Sequence, residues 1–212
     1  MRVDRAREAA LDALAACRRN GAWIDGALKQ VLKRDGLSGR DAAFASRIAY
    51  GVMQNRIYLD RCLARCLTQR PEKLEPLLLN ILRIGAYQIL LMDKVPVNAA
   101  VNEAVEMAKA HKLSRAAGLV NAVLRNVDRR KGEPLAFADE LEALSVQTSH
   151  PRALVERMVG LLGAEEAEAF LRADNEPVPT TIQTNTLKTT AKQLCASLED
   201  EGVTVEPHPW LP

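Results

Sequence analysis

Residues 95–111 read VPVNAAVNEAVEMAKAH, and this stretch decides the fold of the first half of the chain. Its apolar side chains recur at the three-and-four spacing of one buried helical face, namely Val97, Val101, Ala104, Val105 and Ala108. Pro96 stands just before the periodic run, which is a normal start signal for a helix. Two asparagines and two glutamates lie in and beside its first turns, where the helix dipole favours negative charge. The residues by themselves therefore predict an amphipathic helix and nothing catalytic.

The segment before this helix is predicted to be the buried centre of the fold. The run KLEPLLLNILRIGAYQILLMDK, which follows Pro71, is apolar nearly all the way round, as a helix enclosed by others should be. Arg83 inside it needs a buried partner, and Glu103 on the following helix is the expected one.

Start and stop signals divide the rest of the first half into further helices. Ser38 and Asp41 form an S-x-x-D capping box, and Gly51 or Asn55 is expected to break the long run behind it. A last helix around GLVNAVLRNVDRRK presents Val120, Val123, Leu124 and Val127 to the core. About seven helices with short turns predict an all-α bundle.

Charge divides the chain into two parts. Up to Gly132 there are 24 Lys and Arg against 13 Asp and Glu, whereas the remainder has 5 against 14. The net charges of the two parts are therefore +11 and −9, although the whole chain carries only +2. Because 17 of the 24 cations are arginines, a polyanion such as a nucleic acid is a plausible partner of the first part.

Composition excludes several other classes of protein. Cys17, Cys62, Cys66 and Cys195 show no metal-ligand spacing, and the three histidines form no triad or metal site, so no metal is expected. The most apolar run is too short to cross a bilayer, and no signal peptide is recognisable, which predicts a cytoplasmic protein without a membrane partner.

Two motifs in the first half resemble the NusB antitermination family. They are VPVNAAVNEAVEMAKAH and GLVNAVLRNV, which follow a central LRIGAYQILL. The resemblance covers residues 1 to about 131 and implies two small packed helical bundles that bind RNA, in the stand-alone family jointly with a small-subunit ribosomal protein. It also implies that the polar residues of the motifs are mainly structural and pair within the fold, namely Asn102, Glu103, Asn121 and Arg125.

Exposed cations near the two ends of this first part are the expected RNA contacts. Three lie on the first helix and three follow the last, namely Arg2, Arg5 and Arg7, and Arg129, Arg130 and Lys131. Such contacts fall mostly on phosphates, so that affinity should fall steeply with salt concentration. The alternative is a solvated charged face that binds nothing.

The second part of the chain has a different order of elements. Helix signals run to Asp174 with breaks at Pro151 and Gly163, and the Pro-marked stretch NEPVP reads as a linker. The alternating, β-branched run TTIQTNTL, residues 180–187, predicts a strand, as does VTVE, residues 203–206. Thr190 and Gln193 make a capping box for the helix between these two strands.

This order resembles the front of the ribosomal RNA cytosine-C5 methyltransferases of the RsmB (Sun) type. Those enzymes carry a NusB-like domain, a linker, a small α/β RNA-recognition subdomain and then a catalytic domain. The residues at matching positions are His150, Pro151, Gly163, Glu166, Asn175, Pro177, Pro179, Asn185, Leu187 and Lys188. The resemblance implies S-adenosylmethionine as the cofactor of the full-length parent.

Residues for the methyl transfer itself are missing from the sequence. The resemblance implies that a cysteine in a Pro-Cys context attacks C6 of cytosine and that a Gly-rich turn after a strand holds the cofactor. The sequence contains no Pro-Cys pair and no G-x-G turn. We therefore expect no catalytic or cofactor-binding residue here, and we expect this chain alone to be inactive.

The predicted protein is mostly α, with a NusB-like RNA-binding helical domain at 1–131, a helical linker at 132–178 and the start of an α/β RNA-recognition subdomain at 179–212. Its expected function is to dock small-subunit ribosomal RNA for a cytosine-C5 methyltransferase. Two alternatives remain open, a stand-alone NusB-like antitermination or RNA-binding regulator and a helical protein-interaction module.

Overall fold

Residues 3–177 and 180–208 are described by the computed structural model of this chain, and they form eleven α-helices. In chain order these helices are α1 (Arg5–Asn20), α2 (Ile24–Asp35), α3 (Gly39–Gln54), α4 (Arg56–Ala64), α5 (Pro76–Leu91), α6 (Val97–Ala110), α7 (Ala117–Arg129), α8 (Glu140–Thr148), α9 (Arg152–Leu162), α10 (Ala164–Ala173) and α11 (Ala191–Asp200). Two short 3-10 turns, Pro71–Lys73 and Ser114–Ala116, precede α5 and α7. Contacts divide the chain into a first unit, residues 1–175, and a second unit, residues 176–212.

The central helix of the first unit is α5, as the sequence predicts. Pro76 occupies its first turn, where a missing N–H costs nothing, and the Glu75 carboxylate accepts a hydrogen bond from the Leu78 amide at 2.9 Å. The helix packs against α1 and α3 and also against α4, α6 and α7. Two small bundles, α1–α3 and α4–α7, therefore share one core through α5.

Close packing at the centre depends on a glycine in α3. A Cβ atom on Gly51 would lie 2.0 Å from Cζ of Tyr87 on α5, so only glycine lets the Tyr87 ring approach the α3 backbone. The helix ends at Asn55, whose side-chain amide donates to the Gly51 carbonyl at 2.9 Å. The predicted break is thus confirmed at Asn55.

The amphipathic faces read from the sequence are confirmed in α6 and α7. All four predicted core residues of α7 are buried. In α6, Val101, Ala104 and Ala108 are buried, while Val97 and Val105 pack half-buried against the same core. Periodicity therefore placed the motif-bearing helices correctly.

Two predicted polar contacts in this unit are wrong. Ser38 is the N-cap residue of α3, but its side chain makes no capping hydrogen bond. The Arg83 guanidinium forms a two-pronged ion pair with the Asp60 carboxylate of α4, with both N–O distances 2.7 Å, and not with Glu103. Glu103 accepts instead from the Asp4 amide at 3.1 Å, because α6 presents this carboxylate to the start of α1.

Helices α8 to α10 continue the first unit and have a small core of their own. Hydrogen bonds connect these helices with residues just before and just after the break at Asn55. The Ile57 amide donates to the Ser149 hydroxyl at 3.1 Å, and the Gln54 side chain donates to the Asn175 carbonyl at 2.9 Å. Asn175 in turn donates to the Thr148 carbonyl at 2.7 Å.

The second unit contains α11 but no strand among its described residues, so the two predicted strands, 180–187 and 203–206, are not formed here. A strand requires a partner for its backbone hydrogen bonds, and the two strands of a split β-α-β unit do not pair with each other. The predicted capping box is confirmed, since Thr190 and Gln193 bond each other's backbone amides.

Candidate nucleic-acid interface

Arg7 is not on the surface, contrary to the sequence prediction. Its side chain is 10% exposed, and its Nε donates to Oε1 of the buried Gln88 at 2.8 Å. The guanidinium also lies 4.9 Å from the centre of the Phe44 ring. The residue points inward because positions 7, 11 and 14 share the buried face of α1. Arg7 is therefore not part of the candidate RNA surface.

The other two predicted cations of the first helix have different positions. Arg5 is exposed at the start of α1, and its guanidinium donates to the Asp35 carbonyl at the end of α2. Arg2 lies outside the described residues. Arg5 is thus the member of this trio that remains on the described surface.

The three cations after the last motif form one exposed cluster at the end of α7. Arg130 donates to the Arg65 carbonyl at 2.9 Å, and the Lys131 ammonium donates to the Ile89 carbonyl at 3.0 Å. Arg129 bonds the Asn126 side chain one turn earlier. The structure therefore brings Arg129, Arg130 and Lys131 together with Arg65.

One carboxylate partly neutralises this cluster. Glu133 lies 2.7 Å from the Arg65 guanidinium and 3.6 Å from that of Arg130. Four cations against this one paired carboxylate leave a net positive patch, which we call the α7 patch and define as Arg65, Arg129, Arg130 and Lys131. Such a patch can bind phosphates, although its cations also stabilise the negative end of the α7 dipole.

The polar residues of the two motifs are not all internal. Glu103 pairs with the start of α1, as described above, which fits the structural role expected of it. Arg125 donates to Asn121 at 3.1 Å, but Arg125 and Asn102 are exposed. The expectation that these four residues lie where buried polar groups pair is therefore wrong for Asn102 and Arg125, although Arg125 does pair with Asn121 at the surface.

A groove at the α1–α2 turn was not predicted from the sequence. It has a volume of about 420 Å³, and Trp23, Arg18 and Arg56 line it with parts of α3 and α5. Trp23 is 86% exposed, an unusual position for so large an apolar ring. The only signal in the sequence was a lone tryptophan outside any periodic pattern.

The thiols of the first unit lack the features of a nucleophile. Burial raises the pKa of Cys17, Cys62 and Cys66, which disfavours the reactive thiolate. Among residues 3–177 and 180–208, no group of His, Cys, Asp or Glu could hold a metal ion. None of the helices in these ranges combines the length and apolar character needed to span a bilayer.

S-adenosylmethionine does not fit the described residues. A site for an adenosyl cofactor of this kind needs a strand that leads through a glycine-rich turn into a helix. Within the described ranges the glycines with positive φ stand in turns that follow helices or loops, and no strand precedes any of them. No step of a methyl transfer is therefore assigned to these residues.

Comparison with protein families matches the NusB family to residues 4–129. The chain belongs to the NusB family. A second family, described as the RsmF/B-like methyltransferase ferredoxin-like domain, matches residues 150–212 of the same chain. The NusB-family domain is thus followed by a methyltransferase-associated domain, and the combined resemblance drawn from the sequence is confirmed.

Relatives of this NusB-family chain include a probable ribosomal RNA small subunit methyltransferase B of Bacillus subtilis. The two are 34% identical over 208 residues, which cover 97% of this chain and 46% of the relative. This chain spans about half the length of the curated relatives it matches.

Two solved structures share the fold. One, titled Crystal Structure of PH0851, has a TM-score of 0.73 and 22% identity, covering all of this chain and 48% of that one. The other, antitermination factors NusB and NusE in complex with dsRNA, has a TM-score of 0.55 and 19% identity, covering 59% of this chain and 95% of the matched chain. The second likeness supports the assignment of the helical bundle to the NusB fold.

Proposed function

We propose that this chain is the RNA-docking region of a ribosomal RNA cytosine-C5 methyltransferase that acts on the small subunit. The observation that carries the proposal is the joint match of a NusB-family domain and an RsmF/B-like ferredoxin-like domain, in that order, in one chain. We propose residues 1–131 as its RNA-binding helical domain, residues 132–178 as a helical linker and residues 179–212 as the start of an α/β RNA-recognition subdomain. The parent enzyme would use S-adenosylmethionine in the cytoplasm, through residues other than those described.

The α7 patch and Arg5 are the proposed phosphate contacts. Arg5, Arg129, Arg130 and Lys131 are exposed, whereas Arg65 is half-buried. All five are cations at or next to helix ends, and the solved complex of NusB and NusE contains dsRNA. That complex also contains a partner protein, NusE, and we propose a small-subunit ribosomal protein as the corresponding partner here, as the family resemblance implies. The negative charge of residues 133–212 argues that the second part of the chain is not the main phosphate clamp.

Filter binding to fragments of small-subunit ribosomal RNA at several salt concentrations tests this proposal. Replacing Arg129, Arg130 and Lys131 together by Ala should reduce the slope of log affinity against log salt by about 2, because each lost phosphate contact removes about 0.7 from the slope. A matched control removes three cations that lie away from this patch in sequence and are exposed, namely Lys73, Lys94 and Lys112.

The control variant should retain more of the slope than the α7 variant. No binding of the unaltered chain at low salt would refute the docking role and favour a protein-interaction module. Equal slopes for the α7 variant and the unaltered chain would remove the α7 patch from the interface. Thermal stabilisation of the chain by S-adenosylmethionine would contradict the assignment of the cofactor site to other residues.

A further inference from the structure

We propose that the groove at the α1–α2 turn binds one unpaired nucleobase of a single-stranded RNA, with Trp23 as the stacking surface and Arg18 and Arg56 as contacts for the flanking phosphates. The inference rests on the proposed function and adds to it a second subsite, separate in sequence from the α7 patch. We call this site the Trp23 groove, lined by Trp23, Arg18, Arg56, Met53 and Asn80 among others.

The exposure of Trp23 is the first observation. Its ring is 86% exposed, yet the residue is fixed in the backbone as the N-cap of α2, where its carbonyl accepts from the Ala27 amide at 3.0 Å. A rigid backbone and a free aromatic face are what a stacking platform requires. Every base offers a π-face, so such a platform tolerates many sequences.

The charge of the groove is the second observation. The Arg18 and Arg56 side chains are exposed and form no ion pair or hydrogen bond within the ranges that the structure describes. Among the residues that the structure describes, no carboxylate lines the groove. The third arginine of the lining, Arg83, is already neutralised by Asp60.

Asp25, the acidic residue nearest to Trp23 along the chain, does not neutralise the charge of Arg18 and Arg56. Asp25 accepts a hydrogen bond from the Tyr50 hydroxyl at 2.6 Å and is not part of the lining. The amino-terminal end of α2 adds partial positive charge next to Trp23. Two unpartnered guanidinium groups beside a free indole therefore favour an anionic ligand that carries a flat ring.

The dimensions also suit this ligand. A volume of about 420 Å³ lies in the range of small-ligand sites, about 300–1,000 Å³. An A-form duplex hides its bases from side chains, whereas a single strand can present one for stacking. The groove should therefore prefer unpaired RNA to duplex RNA.

Tryptophan fluorescence tests the inference directly. The chain has two tryptophans, so Trp210→Phe leaves Trp23 as the sole reporter. Single-stranded hexauridylate should quench its emission, whereas a hexamer of the same charge without bases and a duplex RNA should quench far less. Trp23→Ala should weaken hexauridylate binding about tenfold, and Trp23→Phe should retain most of the affinity.

The arginines have a separate readout. Arg18→Ala with Arg56→Ala should lower the salt slope of hexauridylate binding by about 1.4. The matched control also removes two exposed cations, Arg115→Ala with Lys73→Ala, and it should leave both quenching and slope unchanged. Because Trp23 and both arginines are exposed, these variants should unfold at the temperature of the unaltered chain.

The outcomes separate the groove from the docking function. If long ribosomal RNA binds but Trp23→Ala leaves hexauridylate affinity unchanged, or if the base-free hexamer quenches equally, the groove inference is overturned and the proposed function stands. If Trp23 emission responds only to ribosomal proteins, the groove is a protein-docking site and the inference is wrong. If no RNA binds at low salt, both fail.

Discussion

Replacing Arg7 by Ala should destabilise the first unit without a specific loss of RNA affinity. The substitution removes a charged hydrogen bond of 2.8 Å to Gln88, whose side chain is 1% exposed and is left with an unmet acceptor. That loss costs about 1.5–3 kcal/mol, and the contact with the Phe44 ring adds about 1 kcal/mol.

The expected decrease in the free energy of unfolding is therefore about 3 kcal/mol. For a cooperative unit of this size, the decrease corresponds to a Tm lower by roughly 6–12 °C. Urea unfolding followed by far-UV circular dichroism measures the loss. Filter binding to ribosomal RNA, carried out well below the new transition, measures affinity separately.

Two further variants test whether Arg7 has this structural role. Arg129→Ala, at an exposed guanidinium, should change stability by less than about 0.5 kcal/mol. Arg7→Met combined with Gln88→Leu should recover more than half of the lost stability, because both polar partners are then removed together. A stable Arg7→Ala protein with weakened RNA binding would show that Arg7 serves as an RNA contact after all.

Two further predictions concern packing and thiol chemistry. Gly51→Ala should lower the free energy of unfolding by about 2 kcal/mol because the added methyl group would overlap Tyr87. Gly160→Ala should raise it by about 0.5 kcal/mol because the space around this position of α9 is empty. Thermal melts in which both variants shift in the same direction would contradict the packing argument. Burial raises the pKa of Cys62, so its alkylation by iodoacetamide at pH 8, followed by peptide mass spectrometry, should be slower than that of free cysteine, and an equal rate would show an accessible thiolate.

The parts of the fold that could be read from the sequence are those governed by local periodicity. The faces of α6 and α7 and the buried centre at α5 follow from the spacing of apolar residues. The break at Asn55 and the cap at Thr190 follow from short-range hydrogen bonds. These features depend on residues within one or two helical turns.

The sequence predictions that proved wrong concern mainly contacts between residues far apart in sequence. Nothing local distinguishes Asp60 from Glu103 as the partner of Arg83, since the choice depends on which helix packs there. Arg7 looked like a surface cation because arginines are usually exposed, but it is buried with two partners, namely Asp4 at 3.3 Å and Gln88, 81 residues away. The predicted strands lacked partners for the same reason, because pairing is not a local property.

The candidate site was only partly accessible to sequence reasoning. The α7 patch was found because its cations are consecutive, and Arg65 joined it only through the packing of α4 near α7. The Trp23 groove was missed because its lining comes from α1, α3, α4 and α5. A single tryptophan in a turn carries no periodic signal.

The hydrogen bonds beside Asn55 give helices α8 to α10 a mechanical role. Gln54 and Ile57 stand on either side of that break, and they are held by Asn175 and Ser149 respectively. Helices α8 to α10 thus stabilise the break between α3 and α4, where the two bundles meet. A fragment that ends at residue 129, where the NusB family match ends, would lack Ser149 and Asn175 and therefore these hydrogen bonds. The shortest fragment that keeps the native geometry at Asn55 should therefore extend beyond the family match.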